Sequence, residues 1–153
     1  MNITYETLTN NHIPKLAKFY METYNAPPWN EKWTIEAATK KLDELINCRD
    51  SYGLLCTDEN ANIIGMIAGI SEGSSTSYYT LRQFCIRDFL VITSMQGKGI
   101  GSALMAELES RLKAIGISRT YLITSNANGT DAFYLKQGYT NINGLVLMGK
   151  DLE

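Results

Sequence analysis

The spacing of apolar residues along the chain predicts four helices. Within each of them, apolar residues fall three or four positions apart and so form one stripe along the helix. Polar and glycine residues mark the ends. Thr34 is suited to cap the start of the second helix, and Gly116 and Gly138 are suited to end the third and the fourth. The predicted helices run from about 12 to 24, 35 to 45, 100 to 115 and 131 to 137.

Elsewhere the pattern alternates or forms short runs of β-branched and aromatic residues, which predicts strands. A polar turn at 58–62 joins two of them, and Asn143-Gly144 is typical of a tight hairpin. Residues 71–77 are expected to form a loop. The predicted strands are 3–7, 52–57, 63–70, 84–92, 120–124, 139–142 and 145–148. The order β α α β β β α β α β β is typical of a mixed α+β fold and not of a doubly wound sheet.

Length and composition narrow the class of protein. The chain has 153 residues, of which 44% are hydrophobic and 20% charged, and this fits a single folded domain over 1–153. Its net charge of −2 gives no electrostatic support for binding nucleic acid or an anionic membrane. Three scattered cysteines and one histidine do not match the spacing of a metal site, so we expect no metal. The first residues lack the pattern of a signal peptide, and we expect a cytoplasmic protein.

A glycine-rich segment, Gln96–Ser102, lies between a predicted strand and a predicted helix. Its glycines allow a tight turn and close approach to a ligand, and the N–H groups at a helix start attract phosphate. A Walker A loop needs Gly-Lys-Ser/Thr, whereas here Gly99 follows Lys98. The dinucleotide fingerprint needs Gly or Ala at its sixth position, where Ser102 or Leu104 stands. The pattern that remains is Gln-x-x-Gly-x-Gly.

That pattern resembles the acetyl-CoA loop of the GNAT superfamily of N-acetyltransferases. The stretch DFLVITSMQGKGIGSALM is similar to the strand and loop of this family. The stretch ANGTDAFYLKQGY resembles its second signature, a short helix with a tyrosine four residues before a Gly-aromatic pair. The resemblance covers most of the chain and is most specific over 88–139. It implies a mixed, mostly antiparallel sheet flanked by helices, and acetyl-CoA as the acetyl donor.

The resemblance also implies which residues bind acetyl-CoA. The strand before the loop would pair with the pantetheine arm, and the backbone N–H of Val91 would stabilise the developing oxyanion. The amides of the loop would hold the pyrophosphate. Asn126 or Asn128 would contact the cofactor, although either could instead cap the short helix. The expected cofactor-binding residues are Leu90, Val91, Gln96, Gly97, Lys98, Gly99, Ile100, Gly101, Ser102, Asn126 and Asn128.

Four further residues receive roles from the same resemblance. Tyr134 stands at the position of the general acid that protonates the leaving thiolate, although an aromatic residue there could also serve the core. Asp88, three residues before Val91, is expected to act as base directly or through a water. Trp29 and Trp33 lie in the region where relatives bind the acceptor. They would form aromatic walls for an amine, or simply cover the core.

The sequence therefore predicts an enzyme that transfers an acetyl group from acetyl-CoA to a primary amine by direct attack in a ternary complex. Cys85 has no histidine near it in the sequence, which argues against an acyl-cysteine intermediate. The expected acceptor is a small-molecule amine. The alternatives are an acetyltransferase that acts on protein N-termini or lysines, and a non-catalytic CoA-binding domain. The resemblance is also compatible with a homodimer.

Overall fold

The computed structural model of the chain describes residues 1–72 and 82–152. Its strands are β1 (Thr4–Thr7), β2 (Ser51–Thr57), β3 (Ile63–Glu72), β4 (Gln83–Val91) and β5 (Arg119–Tyr121). Its α-helices are α1 (Ile13–Asn25), α2 (Ile35–Asn47), α3 (Ile100–Ala114) and α4 (Thr130–Lys136). The chain divides into two compact units, Met1–Leu122 with the sheet and the first three helices, and Ile123–Glu153 with α4.

The strands form one sheet in the order β1-β2-β3-β4-β5. The first four pair antiparallel, and β5 runs parallel to β4. A parallel pair needs a crossover connection, which α3 supplies. The mixed, mostly antiparallel sheet flanked by helices is therefore confirmed.

Strand β4 is irregular where it approaches the glycine-rich segment. Asp88 and Ile86 pair with consecutive residues of β3, so Arg87 is an extra residue and forms a β-bulge. On its other side, β4 pairs with β5 only over residues 83–85. In the part of the chain that the structure describes, no strand covers that side of β4 beyond Cys85.

Helices cover both faces of the sheet. Helices α1 and α2 bury one face in a core cluster with strand residues that include Leu55, Met66 and Leu90. Alternation along β2 places Cys56 on the opposite face. A Cβ on Gly65 would lie 3.0 Å from Cys56 Sγ and 3.3 Å from Leu104 Cδ2, which places α3 on that face. The buried residues of α3 are Ile100, Leu104, Met105, Leu108 and Leu112.

The predicted helices and their end signals are confirmed. The Ala37 N–H donates to Thr34 Oγ1 at 3.1 Å and caps α2. Gly116 and Gly138 follow α3 and α4 with φ values of +87° and +89°, a conformation that glycine adopts without steric cost. None of the helices in the described ranges is long and apolar enough to cross a membrane.

The predicted final strand pair is wrong. Residues 139–142 and 145–148 form no strands, although the Asn143-Gly144 turn is present with Leu145 N–H donating to Ile142 C=O at 3.4 Å. An isolated two-stranded hairpin is marginal in water without a third strand or a covered face. Here the apolar side chains of Val146 and Leu147 are both 81% exposed.

In the predicted loop 71–77, Ser71 and Glu72 belong to β3, and 73–77 lie outside the described residues.

Candidate functional site

The last residues of β4 present a backbone edge that no strand of the described residues covers. Ile92 N–H donates to Ile64 C=O at 2.9 Å, which makes these two residues a hydrogen-bonded pair. The adjacent pair, Val91 and Gly65, is therefore a non-hydrogen-bonded pair, in which the N–H and C=O of each residue point away from the partner strand. The N–H and C=O of Val91 therefore face the side on which the pairing with β5 has ended. The backbone N–H and C=O of Leu90 face β3 instead. Its side chain is buried under α1 and α2.

A turn that contains two glycines in the left-handed conformation follows this edge. Gly97 and Gly99 have φ values of +74° and +81°, and a Cβ on either would meet nothing within 4 Å. Gly99 is the N-cap of α3, no side chain caps this helix, and its first turn contains no acidic residue. The N–H groups of the first turn therefore form an uncapped helix start with open space in front of it, which suits an anion.

Two side chains of the turn differ in their contacts. Gln96 Nε2 donates to the C=O of Val91 at 3.1 Å and so ties the turn to the edge of β4. Lys98 is exposed, and its Nζ lies 3.9 Å from Met95 Sδ. Gln96 therefore positions the turn, while the ammonium of Lys98 adds positive charge beside the helix start.

Asp88 is a buried carboxylate beside the bulge, with only 6% of its surface exposed. Its Oδ1 accepts a hydrogen bond from the Tyr20 hydroxyl at 3.0 Å. Its Oδ2 lies 3.8 Å from Lys41 Nζ and accepts no hydrogen bond from any side chain or backbone group in the described residues. Burial, together with the charge of Asp88, raises the pKa of Tyr20 far above its ordinary value, so Tyr20 stays protonated and keeps donating.

The segment between α1 and α2 is held in place by Asn25. Its side-chain Oδ1 accepts from Trp33 N–H at 2.7 Å, and its Nδ2 donates to Trp33 C=O at 2.9 Å. These two hydrogen bonds between the Asn25 side chain and the Trp33 backbone close residues 26–32 into a loop. Trp29 and Glu31 lie on that loop, and the Trp33 indole N–H donates to the carboxylate of Glu31.

Both predicted tryptophans belong to one row of aromatic rings. The Trp29 and Tyr24 centroids are 6.1 Å apart, and Tyr24 lies 6.3 Å from Trp33. Trp33 in turn lies edge-on to Tyr20 at 5.0 Å. The row begins at Trp29, which is 44% exposed, and ends at Tyr20, which is bonded to Asp88. Trp33 packs against the core, which is the covering role that the sequence left open for it.

The second unit contains the predicted acid, Tyr134, on α4. Its ring lies 5.3 Å from Phe133 and 5.9 Å from Tyr139 between centroids. Burial raises the pKa of Tyr134 above its ordinary value, so the phenol keeps its proton at neutral pH. The N–H of Tyr139 donates to Tyr134 C=O at 3.0 Å and ends the helix in a motif that Gly138 makes available.

The two asparagines of the second signature also lie in this unit. Asn126 precedes the 3-10 turn Ala127–Gly129 and makes no capping hydrogen bond to it with its side chain. The N-cap position of the short helix α4 is Gly129, so Asn126 does not stand there. Asn128 lies within that turn, and the residue that precedes α4 is Gly129.

The predicted site residues thus divide between the units. The first unit holds Asp88, both strand-end residues, the glycine turn and the tryptophans.

Sequence reasoning missed Tyr20 and Lys41, which contact Asp88. One signal was available, since a tyrosine on the apolar stripe of a helix normally brings a buried partner for its hydroxyl. Lys41 has no such signal, because lysines on the polar face of a helix are common. In the described part of the chain, no group of three His, Cys, Asp or Glu side chains could hold a metal ion.

The fold and this site define an α+β protein whose sheet has an open edge leading into an uncapped helix start. Residues 14–139 match the family model described as acetyltransferase (GNAT) family. The chain belongs to the GNAT acetyltransferase family.

Two proteins of Bacillus subtilis (strain 168) are similar in sequence. YdhI is 29% identical over 135 residues, which cover 86% of this chain and 72% of YdhI. YxbD is 30% identical over 130 residues, which cover 83% of this chain and 69% of YxbD. Both are described as uncharacterized proteins.

Solved structures share the fold. A ribosomal-protein-alanine N-acetyltransferase from Brucella melitensis biovar Abortus 2308 superposes with a TM-score of 0.76 at 14% identity, covering 98% of this chain and 99% of that one. The aminoglycoside acetyltransferase meta-AAC0020 from an uncultured soil metagenomic sample gives 0.71 at 19% identity, with 99% and 97% covered. At such identities the likeness concerns the fold alone.

Proposed function

We propose that this protein transfers an acetyl group from acetyl-CoA to a primary amine of a small molecule, by direct attack of the amine in a ternary complex. The edge of β4 at Val91, which no strand of the described residues covers and toward which the Val91 N–H points, carries the proposal. An extended amide-containing arm can add to such an edge like a further strand. The helix start that follows suits the diphosphate of the same molecule. One structural neighbour is named for aminoglycosides, which also supports an amine as acceptor.

The residues present fit acetyl-CoA. A Cβ on Gly97 or Gly99 would meet nothing within 4 Å, so this turn leaves room for phosphate oxygens against the backbone. Lys98 adds a positive charge beside the turn. We assign the Val91 N–H as the donor to the oxyanion that develops on the thioester carbonyl. The acetyl thioester supplies an activated carbonyl carbon when it is bound.

The acceptor amine must react in its neutral form. An alkylamine with a pKa of about 10.4 needs up to roughly 4.6 kcal/mol to lose its proton at pH 7. We assign Asp88 to receive that proton, directly or through a water, because its Oδ2 accepts no hydrogen bond from the described residues. Trp29 and Trp33 would line the approach of the amine along the row of rings.

The departing thiolate of CoA must gain a proton, since a thiol has a pKa of about 8.5. We assign Tyr134 to donate it. The raised pKa of this phenol keeps it in the donor form through neutral pH. We also propose that the two units act as one catalytic domain over 1–153. The cytoplasmic location and the homodimer stay predictions.

A thermal-shift titration together with a thiol-release assay tests the proposal. Acetyl-CoA at about 100 times Kd should stabilise the fold by roughly 2.7 kcal/mol, whereas NAD and ATP should not. Acetyl-CoA plus aminoglycosides, polyamines, amino acids and short peptides should release CoA thiol with at least one small amine. The Cys48→Ser variant should be used, because Cys48 is an exposed thiol that would react with the reagent.

The results separate the alternatives. Turnover with peptides alone would favour a protein N-terminus or lysine as acceptor. Saturable acetyl-CoA binding without turnover of any amine would favour a CoA-binding domain. The absence of any acetyl-CoA binding would refute the proposal.

A further inference from the structure

The unbonded oxygen of Asp88 needs a physical explanation. A buried carboxylate loses its hydration, and this loss is normally compensated by hydrogen bonds to both oxygens. Oδ1 is compensated by the Tyr20 hydroxyl at 3.0 Å. Oδ2 is not, since it accepts no hydrogen bond within residues 1–72 and 82–152. The site thus contains a buried anion with one acceptor position left open.

Lys41 is only a loose partner for that oxygen. Its Nζ lies 3.8 Å from Oδ2, beyond the ordinary hydrogen-bond range of about 2.7–3.2 Å. Its side chain is 42% exposed and reaches the carboxylate on a flexible four-carbon stem from α2. The fixed partner of Asp88 is Tyr20, which is almost completely buried, whereas Lys41 can swing into solvent without disturbing the core.

The aromatic row leads to the same carboxylate. It runs from the exposed Trp29 through Tyr24 and Trp33 to Tyr20, whose hydroxyl bonds to Asp88. Aromatic faces attract ammonium groups and also offer apolar surface to the body that carries them. The row and the open carboxylate oxygen therefore favour the same kind of ligand, a primary ammonium on an apolar or sugar-like body.

We propose that Lys41 is a specificity-determining residue whose ammonium occupies the place of the acceptor's own ammonium beside Asp88 Oδ2. A cationic acceptor displaces Lys41, and the Lys41 side chain moves into solvent. An acceptor that carries a negative charge next to its amine is disfavoured, because that charge would face Asp88. This inference rests on the proposed acetyl transfer and specifies the chemistry that the acceptor presents.

Kinetics of a matched pair of variants test the displacement. Lys41→Met removes the internal competitor and keeps the stem, so the KM for the best amine of the panel should fall by about two- to five-fold, as expected for the loss of a half-exposed ion pair. Lys40→Met is the control, since Lys40 is the adjacent lysine and points to Glu44 at 4.0 Å on the exposed face. A KM that rises or stays unchanged in Lys41→Met would overturn the proposal.

A second measurement does not depend on turnover. The lysines are labelled by reductive ¹³C-methylation, which keeps their charge, and the Lys41 resonance is assigned from its loss in Lys41→Arg. Phenethylammonium should move this resonance saturably towards that of the exposed Lys40. The neutral 2-phenylethanol and the anionic 3-phenylpropionate should not.

A Lys41 resonance that phenethylammonium leaves in place, or that the neutral alcohol moves equally, would overturn the displacement. If acetyl-CoA still binds in that case, the proposed acetyl transfer stands and only this inference fails. If acetyl-CoA does not bind at all, the proposed function itself fails.

Discussion

Tyr20→Phe removes one hydroxyl from the buried hydrogen bond to Asp88 and leaves everything else in place. The ring keeps its edge contacts with Tyr24 at 4.7 Å and Trp33 at 5.0 Å between centroids. The loss is therefore that of a hydrogen bond to a buried charge, which contributes about 1.5–3 kcal/mol. For a chain of this size, such a loss should lower Tm by roughly 3–12 °C.

Urea unfolding followed by tryptophan fluorescence measures this difference. The control is Tyr5→Phe, because Tyr5 lies half-buried on β1 and away from Asp88. A double-mutant cycle isolates the pair. In an Asp88→Asn background, Tyr20→Phe should cost less than it does in the wild type, because the charged acceptor is gone. Equal costs in the two backgrounds would refute the assignment of this energy to the Tyr20–Asp88 bond.

The same variant has a signature at alkaline pH. Burial and the charge of Asp88 raise the pKa of Tyr20 in the folded state above the value of about 10 that it has when unfolded. Stability from this group is therefore fully present below about pH 10 and is lost as pH rises above it. Tyr20→Phe should lose less stability between about pH 10 and 11 than the wild type. An identical alkaline decline in both proteins would contradict the raised pKa.

Three further predictions concern the cofactor, the acid and the thiols. Gly101→Val, in the first turn of α3, should weaken acetyl-CoA binding by about tenfold or more, about 1.4 kcal/mol, because a branched side chain is added where the proposal places the diphosphate. Calorimetry should show no such loss for the control Ala106→Val, at an exposed position of the same helix. Tyr134→Phe should reduce the single-turnover rate by about 10²–10⁴ while acetyl-CoA affinity changes little, and a wild-type rate would reassign Tyr134 to packing. A thiol reagent at pH 8 should modify Cys48 quickly, and Cys56 and Cys85 only in denaturant, because both of these are buried. Burial also raises the pKa of Cys56 to about 12. Fast reaction of a second thiol in the native protein would contradict this.

Local signals were sufficient for the helices and the glycine turn. A helix is specified by contacts three and four residues apart and by caps within one turn, so the spacing of apolar residues and a polar residue such as Thr34 predict it. The turn before α3 is equally local, because only glycine adopts the positive φ of Gly97 and Gly99 at no steric cost. The resemblance that points to acetyl-CoA depends on these short segments, and the family match confirms the family.

The final hairpin shows where local signals fail. Asn143-Gly144 does form a turn, but alternating apolar residues become strands only where other strands or a helix cover them. The exposure of Val146 and Leu147 shows that this condition is not met within the second unit. Turn chemistry can thus be read from a dipeptide, whereas strand pairing depends on distant partners.

Local sequence specifies the helices, the turn at the start of α3 and the presence of a charged residue in an apolar strand. The role of that charge depends on contacts between distant parts of the chain. Asp88 and Tyr20 are 68 positions apart in the chain, and Lys41 comes from a different helix. The bulge at Arg87 and the end of the β5 pairing at Cys85 likewise arise between strands and leave no mark in either strand alone. A buried charge and an uncovered strand edge are defined by the groups that the folded chain brings next to them, and the spacing of residues within one segment does not contain that information.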